Sequence, residues 1–97
     1  MIATVKKYPA EEVNHNKYYL IQGTVDLNKE ERAVVYGIEI VSCKNKVITI
    51  SRMPDISSKK HVVQRLMEKM RICGVDSDQL KAVVEDFLEE ISSINCI

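Results

Sequence analysis

Few residues of this chain could perform chemistry: two histidines, three cysteines and scattered carboxylates. Cys43 and His61 can be imagined as a nucleophilic pair, but no third group is evident to orient the histidine. His15 and His61 lack the HxxxH spacing of a metal site, and no paired cysteines accompany them. The three glycines are isolated, so there is no glycine-rich phosphate loop. We therefore predict that the protein is not an enzyme and that it has no metal or cofactor.

Composition limits the class of protein further. A chain of 97 residues is one domain, residues 1–97, with a single modest core. Fourteen basic and fourteen acidic side chains balance, so no overall field recruits nucleic acid or an anionic membrane. The cysteines are scattered and odd in number, which indicates reduced thiols, and no segment has the roughly 20 apolar residues of a membrane span. We expect a cytoplasmic protein with no membrane partner.

The stretch 33–52 alternates in hydrophobicity as two arms of a β-hairpin. The isoleucines of both arms can share one face only if residues of the same parity pair across the hairpin. A three-residue loop, Cys43-Lys44-Asn45, meets this condition and pairs Ile40 with Ile48 and Ile38 with Ile50. We predict that loop, with Asn45 at positive φ; a two-residue turn with a bulge elsewhere is the alternative.

Two further strands precede the hairpin. Residues 2–8 alternate weakly and predict a short edge strand that Pro9 ends, followed by a polar connection. Residues 17–27 begin with apolar side chains of both parities, which indicates either a central strand or a cap lying over one end of the strand. Gly23 within them indicates a bulge or a crowded neighbour. The last strand is predicted to stop at Pro54-Asp55.

Two amphipathic helices follow. Ser57 or Ser58 is the predicted N-cap of the first helix, and Gly74 is its predicted left-handed C-terminal residue. Asp76 and Gln79 predict a capping box at the start of the second helix. The short connection predicts an antiparallel helical hairpin. The expected fold is α+β: a three- to four-stranded antiparallel sheet with a C-terminal αα-hairpin packed on one face.

The face of the sheet opposite the isoleucines is the sharpest candidate site. This face has more apolar residues than a solvent-exposed surface usually has, and too many polar ones for a second core. We therefore predict a protein interface there, formed by Val35, Glu39, Val41, Val47 and Thr49. The partner would be another protein or a second copy, bound through this back face or through a sheet edge. The alternative is that the N-terminal strand covers the face.

The basic helix 58–73 gives a second hypothesis. Its exposed side would contact phosphates through Lys60, Gln64, Arg65 and Arg71. The simpler interpretation is that these side chains are solvated or face acidic residues of the second helix, since an equally large acidic surface would repel phosphates. We therefore regard nucleic acid as the less favoured partner.

The segments YYLI (18–21), YGIEI (36–40) and VVEDFL (83–88) resemble a family of short uncharacterised proteins, a domain of unknown function, from clostridial and related Firmicutes. The resemblance implies a small antiparallel sheet with two C-terminal helices and a bacterial, cytoplasmic setting. It implies no activity, because the shared motifs are core patterns. We predict a non-catalytic protein-interaction or regulatory module, and a nucleic-acid-associated factor is the alternative.

Overall fold

The computed structural model describes the backbone of residues 2–13, 15–28 and 30–95 and the side chains of residues 15–28 and 30–90. Four strands are followed by two helices. The strands are β1 (Ile2–Val13), β2 (Asn16–Asp26), β3 (Arg32–Lys44) and β4 (Val47–Ser57). The helices are α1 (Lys60–Cys73) and α2 (Leu80–Asn95), and a short 3₁₀ turn, Ser77–Gln79, leads into α2. The predicted α+β class is confirmed.

The four strands form one antiparallel sheet in the order β1-β2-β3-β4. The central position predicted for residues 17–27 is confirmed, because β2 pairs with both β1 and β3. Gly23 lies opposite an irregularity of β1, between Thr4 and Lys6, which agrees with the expected bulge near this glycine. Asn28 turns the chain between β2 and β3, because its Oδ1 accepts the N–H groups of Glu30 and Glu31, both at 2.9 Å.

Both edge strands continue through the prolines that were predicted to end them. β1 runs past Pro9 to Val13, with a register shift between Pro9 and Glu12, so the predicted polar connection is mostly strand. β4 runs past Pro54 to Ser57. Proline is tolerated in both because an edge strand needs only one row of backbone donors and a bulge removes the need for one of them.

The hairpin of β3 and β4 exists, but its predicted register is wrong. The turn is the two residues Asn45-Lys46, with φ of 50° and 65°, so Asn45 does have the predicted positive φ. Lys44 pairs with Val47, and Ile40 consequently pairs with Ser51 rather than with Ile48. The parity of the pairs is therefore opposite to the predicted one, and Ile48 and Ile50 lie on the face opposite Ile40.

The core lies between the helices and one face of the sheet. Tyr18 and Leu20 of β2 lie opposite Ile40 and Ile38 of β3, and all four are at most 2% exposed. The helices cover this face with a shared set of buried residues, Val63, Leu66 and Met70 of α1 and Leu80 and Val84 of α2. The apolar sequence pattern of α2 continues to Ile91 and Ile94, which lie outside the residues whose side chains are described.

The helix ends follow local chemistry in part. Gly74 has φ 67°, and the N–H of Val75 donates to the carbonyl of Met70 at 3.0 Å, as in a Schellman motif. The predicted capping box is confirmed: the Asp76 N–H donates to Gln79 Oε1 at 3.0 Å. The predicted serine cap of α1 is wrong, because Lys59 is the N-cap and Ser57 Oγ accepts only the N–H of Lys59.

The predicted antiparallel packing of α1 on α2 is not confirmed. Among the described residues, α1 contacts β2, β3 and β4, whereas α2 contacts β4 and the 3₁₀ turn. A groove of about 260 Å³ opens between the helices, with Leu66 and Met70 on one side and Val83 and Phe87 on the other. The sheet therefore holds each helix in place, and the short connection only limits their separation.

The opposite face, here called the back face, is partly buried although no helix packs on it. Ile21, Val35 and Glu39 lie on it and are at most 7% exposed. The two edge strands also come within 8 Å of each other between Cα atoms, whereas three strand spacings of about 4.8 Å would keep them about 14 Å apart in a flat sheet. The sheet is therefore curled, and because the helices occupy one face, it curls around the back face.

Candidate interaction site

The free edge of β4 carries three exposed apolar residues. Among the described residues β4 pairs only with β3, so one row of its backbone groups has no strand partner. Val47, Ile48 and Ile50 are 61–64% exposed there. A segment that is β-branched, apolar and unpaired is a template for adding another strand. We call Val47–Arg52 the β4 edge.

The tight turn decides which backbone groups face outward. In a two-residue hairpin the residues that flank the turn, Lys44 and Val47, exchange hydrogen bonds, and the bonded pairs then alternate along the ladder. Val47, Thr49 and Ser51 therefore direct their N–H and C=O groups toward β3. Ile48 and Ile50 direct theirs away from the sheet, so these two isoleucines, the most exposed in the described part of the sheet, also present the free backbone groups.

A bulge limits the β4 edge at its far end. The pairing of Ile38 with Met53 is followed by that of Tyr36 with Ser57, so three residues of β4 oppose Gly37 alone. A Cβ atom at Gly37 would lie 2.0 Å from the Met53 carbonyl oxygen, which explains why this position must be glycine. The bulge also carries Pro54, which has no N–H to donate. The segment able to accept another strand therefore ends before Met53.

A buried polar network fixes the start of α2 against the sheet beside this edge. The Ser42 hydroxyl donates to Asn16 Oδ1 at 2.6 Å and accepts the N–H of Ser77 at 2.9 Å. Asn16 Nδ2 donates to Asp76 Oδ1 at 3.0 Å, and Thr49 and Ser77 share a hydroxyl hydrogen bond of 2.6 Å. These contacts anchor the 3₁₀ turn to β2, β3 and β4 at once.

An ion pair between Lys44 and Asp76 extends this polar network on its solvent-exposed side. The Lys44 ammonium binds Asp76 Oδ2, the oxygen that Asn16 leaves free. This contact lowers the pKa of the Asp76 carboxyl, and the hydrogen bond from Asn16 lowers it further. The same contact with Asp76 raises the pKa of Lys44. The pair therefore favours the charged form of both groups.

Tyr18 ties the helix connection to the core. Its hydroxyl donates to the carbonyl of Val75 at 2.8 Å, and the residue is fully buried. Burial raises the pKa of this hydroxyl, which therefore remains a neutral donor. Val75, in the connection between the two helices, is thus hydrogen-bonded to β2. Asp76, the next residue, is also hydrogen-bonded to β2, through Asn16.

A shallow groove of about 330 Å³ lies between the β4 edge and the start of α2. It is lined by Lys44, Val47, Thr49, Ile50, Ser51, Ser77 and Asp78. Its lining combines charged residues, Lys44 and Asp78, with apolar residues, Val47 and Ile50. The groove therefore extends the surface of the β4 edge toward the helices and gives it a polar border, as protein interfaces have.

The five predicted interface residues do not form one surface. Val35 and Glu39 are buried inside the protein, at 7% and 2% exposed. Glu39 Oε1 forms an ion pair with Arg52 Nη2 at 2.7 Å. Val47 and Thr49 lie on the helix side of the sheet, since Thr49 pairs with Ser42. Val41 remains on the back face and is half-buried. The assignment of these residues to one exposed back face was wrong for two reasons: the hairpin register turns Val47 and Thr49 to the other face, and the curl of the sheet buries Val35 and Glu39.

The predicted phosphate contacts on α1 are partly engaged with neighbours. Gln64 and Arg65 are exposed, whereas Lys60 and Arg71 are partly buried. The Arg71 guanidinium forms an ion pair with Glu68 one turn earlier. Because that pair directs one of the four side chains along the helix, the four do not form a uniform basic row.

Of the residues first considered for chemistry, His15 and Cys43 are neighbours: the Cys43 N–H donates to the His15 carbonyl at 3.0 Å, and both residues line one open groove. Cys43 and Cys73 are free, exposed thiols, and Cys43 is in β3 rather than in a turn. Within the described part of the chain, no group of three or more histidine, cysteine, aspartate or glutamate side chains could hold a metal ion. Cys96 lies outside the described residues. None of the helices found in the described residues has the length and apolar character to span a membrane.

Sequence reasoning missed both the β4 edge and the polar network. The edge depended on the turn, where a change of loop length from three residues to two exchanges the faces of β4. The network had a visible signal: Asn16 and Ser42 continue the parity of the buried stripes Tyr18-Leu20 and Ile38-Ile40. Polar residues at buried parity predict hydrogen-bonded partners.

The fold and the edge together define a small α+β protein with a curled antiparallel sheet and no recognisable reaction centre among its described residues. A family model described as a family of unknown function (DUF6514) matches residues 2–90, and the chain belongs to this family. No curated protein matches the chain. No solved structure matches it either.

Proposed function

We propose that this protein is a non-catalytic protein-interaction module that binds its partner through the β4 edge. The partner adds a β-strand beside Val47–Arg52, in a bacterial cytoplasm. Backbone hydrogen bonds to the free edge supply affinity, and the exposed isoleucines supply apolar contact.

One observation carries the proposal: Ile48 and Ile50, 64% exposed, lie on a strand with a free row of backbone groups. Proteins protect such edges with lysine, proline, bulges or covering loops. In this protein such residues flank the β4 edge: Lys46 lies in the turn before it and Pro54 in the bulge after it. Residues 47–51 include no lysine, proline or bulge. An edge that is open only at its apolar centre is typical of a binding surface.

The cytoplasmic and bacterial setting has separate support. Cys43 and Cys73 are free thiols on the surface, which fits a reducing compartment. The resemblance to short proteins of clostridial and related Firmicutes supports the bacterial origin.

Photo-cross-linking in the native cell tests the proposal. A benzophenone amino acid is placed at Ile48, and at Ile72 as the matched control, because Ile72 is also an exposed isoleucine, at 72%, but lies on α1. The expected result is one discrete adduct at position 48 that is absent at position 72 and is lost when Ile50→Lys is added. Equal adduct patterns at both positions, or none at position 48, would contradict the proposed edge.

The nucleic-acid alternative rests on Gln64 and Arg65, which are exposed on α1, and it is tested with the purified protein. Binding of a generic DNA duplex is measured by fluorescence anisotropy at two salt concentrations. An interaction module should show no duplex affinity at either. Duplex binding that weakens steeply with salt and is lost in Arg65→Ala would favour the alternative.

A further inference from the structure

We infer that the strand added at the β4 edge comes from a second copy of this chain, related by a twofold axis that passes beside Thr49. This inference rests on the proposed function, since it names the partner of the same edge. The two sheets then form one continuous antiparallel sheet across the dimer.

The backbone pattern of the β4 edge is self-complementary about that axis. Antiparallel strands bond where residues with outward N–H and C=O groups face each other. A twofold axis at Thr49 places Ile48 opposite Ile50 of the partner subunit, and both residues have outward groups. Thr49 then faces the partner's Thr49 as a non-bonded pair, so the free backbone groups of Ile48 and Ile50 all receive a partner.

The side chains favour the same axis. Residues directly opposite each other in an antiparallel pair lie on the same face. The axis at Thr49 therefore brings together four isoleucines on the back face, two from each copy, all now 64% exposed. An axis at Ile50 would place Ile48 against the partner's Arg52 and would leave only one isoleucine pair.

The charges allow two copies to meet. Acidic and basic side chains are equal in number, fourteen each, so no net charge repels a second copy. At each end of the paired segment Lys46 faces the partner's Arg52. The Arg52 guanidinium is already paired with Glu39 at 2.7 Å, which offsets its charge. Because the paired segment, residues 46–52, is only seven residues long, the interface is small, and we expect a dissociation constant on the order of micromolar.

Sedimentation velocity over about 5 to 500 µM protein tests the association, because this range brackets micromolar affinity. The wild-type protein should shift from monomer to dimer, with little effect of salt, since the contacts are apolar and backbone. Ile48→Lys with Ile50→Lys should remain monomeric throughout, whereas the matched control Ile72→Lys should dimerise like the wild type. A wild-type protein that is monomeric at every concentration would overturn the inference.

A disulfide trap tests the axis. In a variant whose Cys43, Cys73 and Cys96 are serine, Thr49→Cys places two thiols on the axis, where the Cα atoms of a non-bonded pair lie about 4.5 Å apart. Mild oxidation should give a disulfide-linked dimer. Val47→Cys should not, because the axis separates the two copies of residue 47 by four positions. Cross-linking of Ile50→Cys in place of Thr49→Cys would overturn the axis.

The two proposals fail in different ways. If the purified protein is monomeric while the cross-linker at Ile48 still captures one discrete protein of another sequence, the second copy is excluded and the interaction module stands. If the cross-linker at Ile48 gives no adduct, the proposed function fails at the β4 edge itself. Circular dichroism of each variant confirms that the fold is intact in either case.

Discussion

Ser42 and Ser77 are 35 residues apart in the sequence, yet the Ser77 N–H donates to Ser42 Oγ at 2.9 Å, and both residues are buried. The bond joins the end of β3 to the turn that begins α2. The same Ser42 hydroxyl donates to Asn16, so one oxygen connects two strands and a helix start. The position of α2 on the sheet therefore depends on polar contacts as well as on core packing.

Removal of that hydroxyl should destabilise the fold. Ser42→Ala leaves the Ser77 N–H without its acceptor and Asn16 Oδ1 without its donor, and a buried unsatisfied group costs about 1–3 kcal/mol. Urea denaturation should show this loss in the free energy of unfolding. Ser58→Ala, at an exposed serine, is the control and should change it by less than about 0.5 kcal/mol. An unchanged midpoint for Ser42→Ala would show that the network has no energetic role.

The acid sensitivity of the protein should depend partly on Asp76. The pKa of this carboxyl is lowered in the folded protein, first by Lys44 and then by Asn16. Its stabilising contribution is therefore complete above the unfolded pKa of about 4 and is lost as pH falls through the folded pKa. Below about pH 4, Asp76→Asn should show a shallower fall of unfolding free energy with decreasing pH than the wild type.

Lys44→Met provides the matched test of the cause. It removes the larger of the two favourable contacts and keeps the carboxylate, so the pKa of Asp76 should rise toward its ordinary value. The NMR titration of the Asp76 carboxyl carbon measures this shift directly. A titration midpoint that is the same with and without Lys44 would contradict the assignment.

The glycines at the bulge and at the helix end should respond differently to alanine. At Gly37 a Cβ atom would lie 2.0 Å from a backbone oxygen of β4, so the bulge must move, at a cost of about 3 kcal/mol. At Gly74 nothing lies within 4 Å, and the cost is the left-handed backbone alone, about 1–2 kcal/mol. In thermal denaturation, the melting temperature of Gly37→Ala should be lower than that of Gly74→Ala. The reverse order would contradict the close approach of β4.

Met70 and Ile72 test which side of α1 carries the packing. Met70 is 1% exposed and belongs to the core, whereas Ile72 is 72% exposed. Met70→Ala should cost about 2–5 kcal/mol because it leaves a cavity, and Ile72→Ala should cost less than about 0.5 kcal/mol. Chemical denaturation of both variants measures the contrast. Similar costs would mean that α1 packs on the sheet through a different face.

Local patterns were sufficient where the physics is local. The capping box of Asp76 and Gln79 and the left-handed Gly74 follow from backbone groups within a few residues, so short stretches of sequence identify them. The central position of β2 was also readable, because a strand covered on both faces is apolar at both parities.

The amino-acid sequence by itself therefore determined the elements, the α+β class and the two ends of the helix connection. Only the tertiary structure decided that Asn45-Lys46 makes the turn, so that Ile48 and Ile50 lie on the face opposite Ile40. It also decided that the curl of the sheet buries Val35 and Glu39. The reason is that strand register and sheet curvature are collective: a one-residue difference at a turn inverts every side chain beyond it, and no local pattern measures how far a sheet bends.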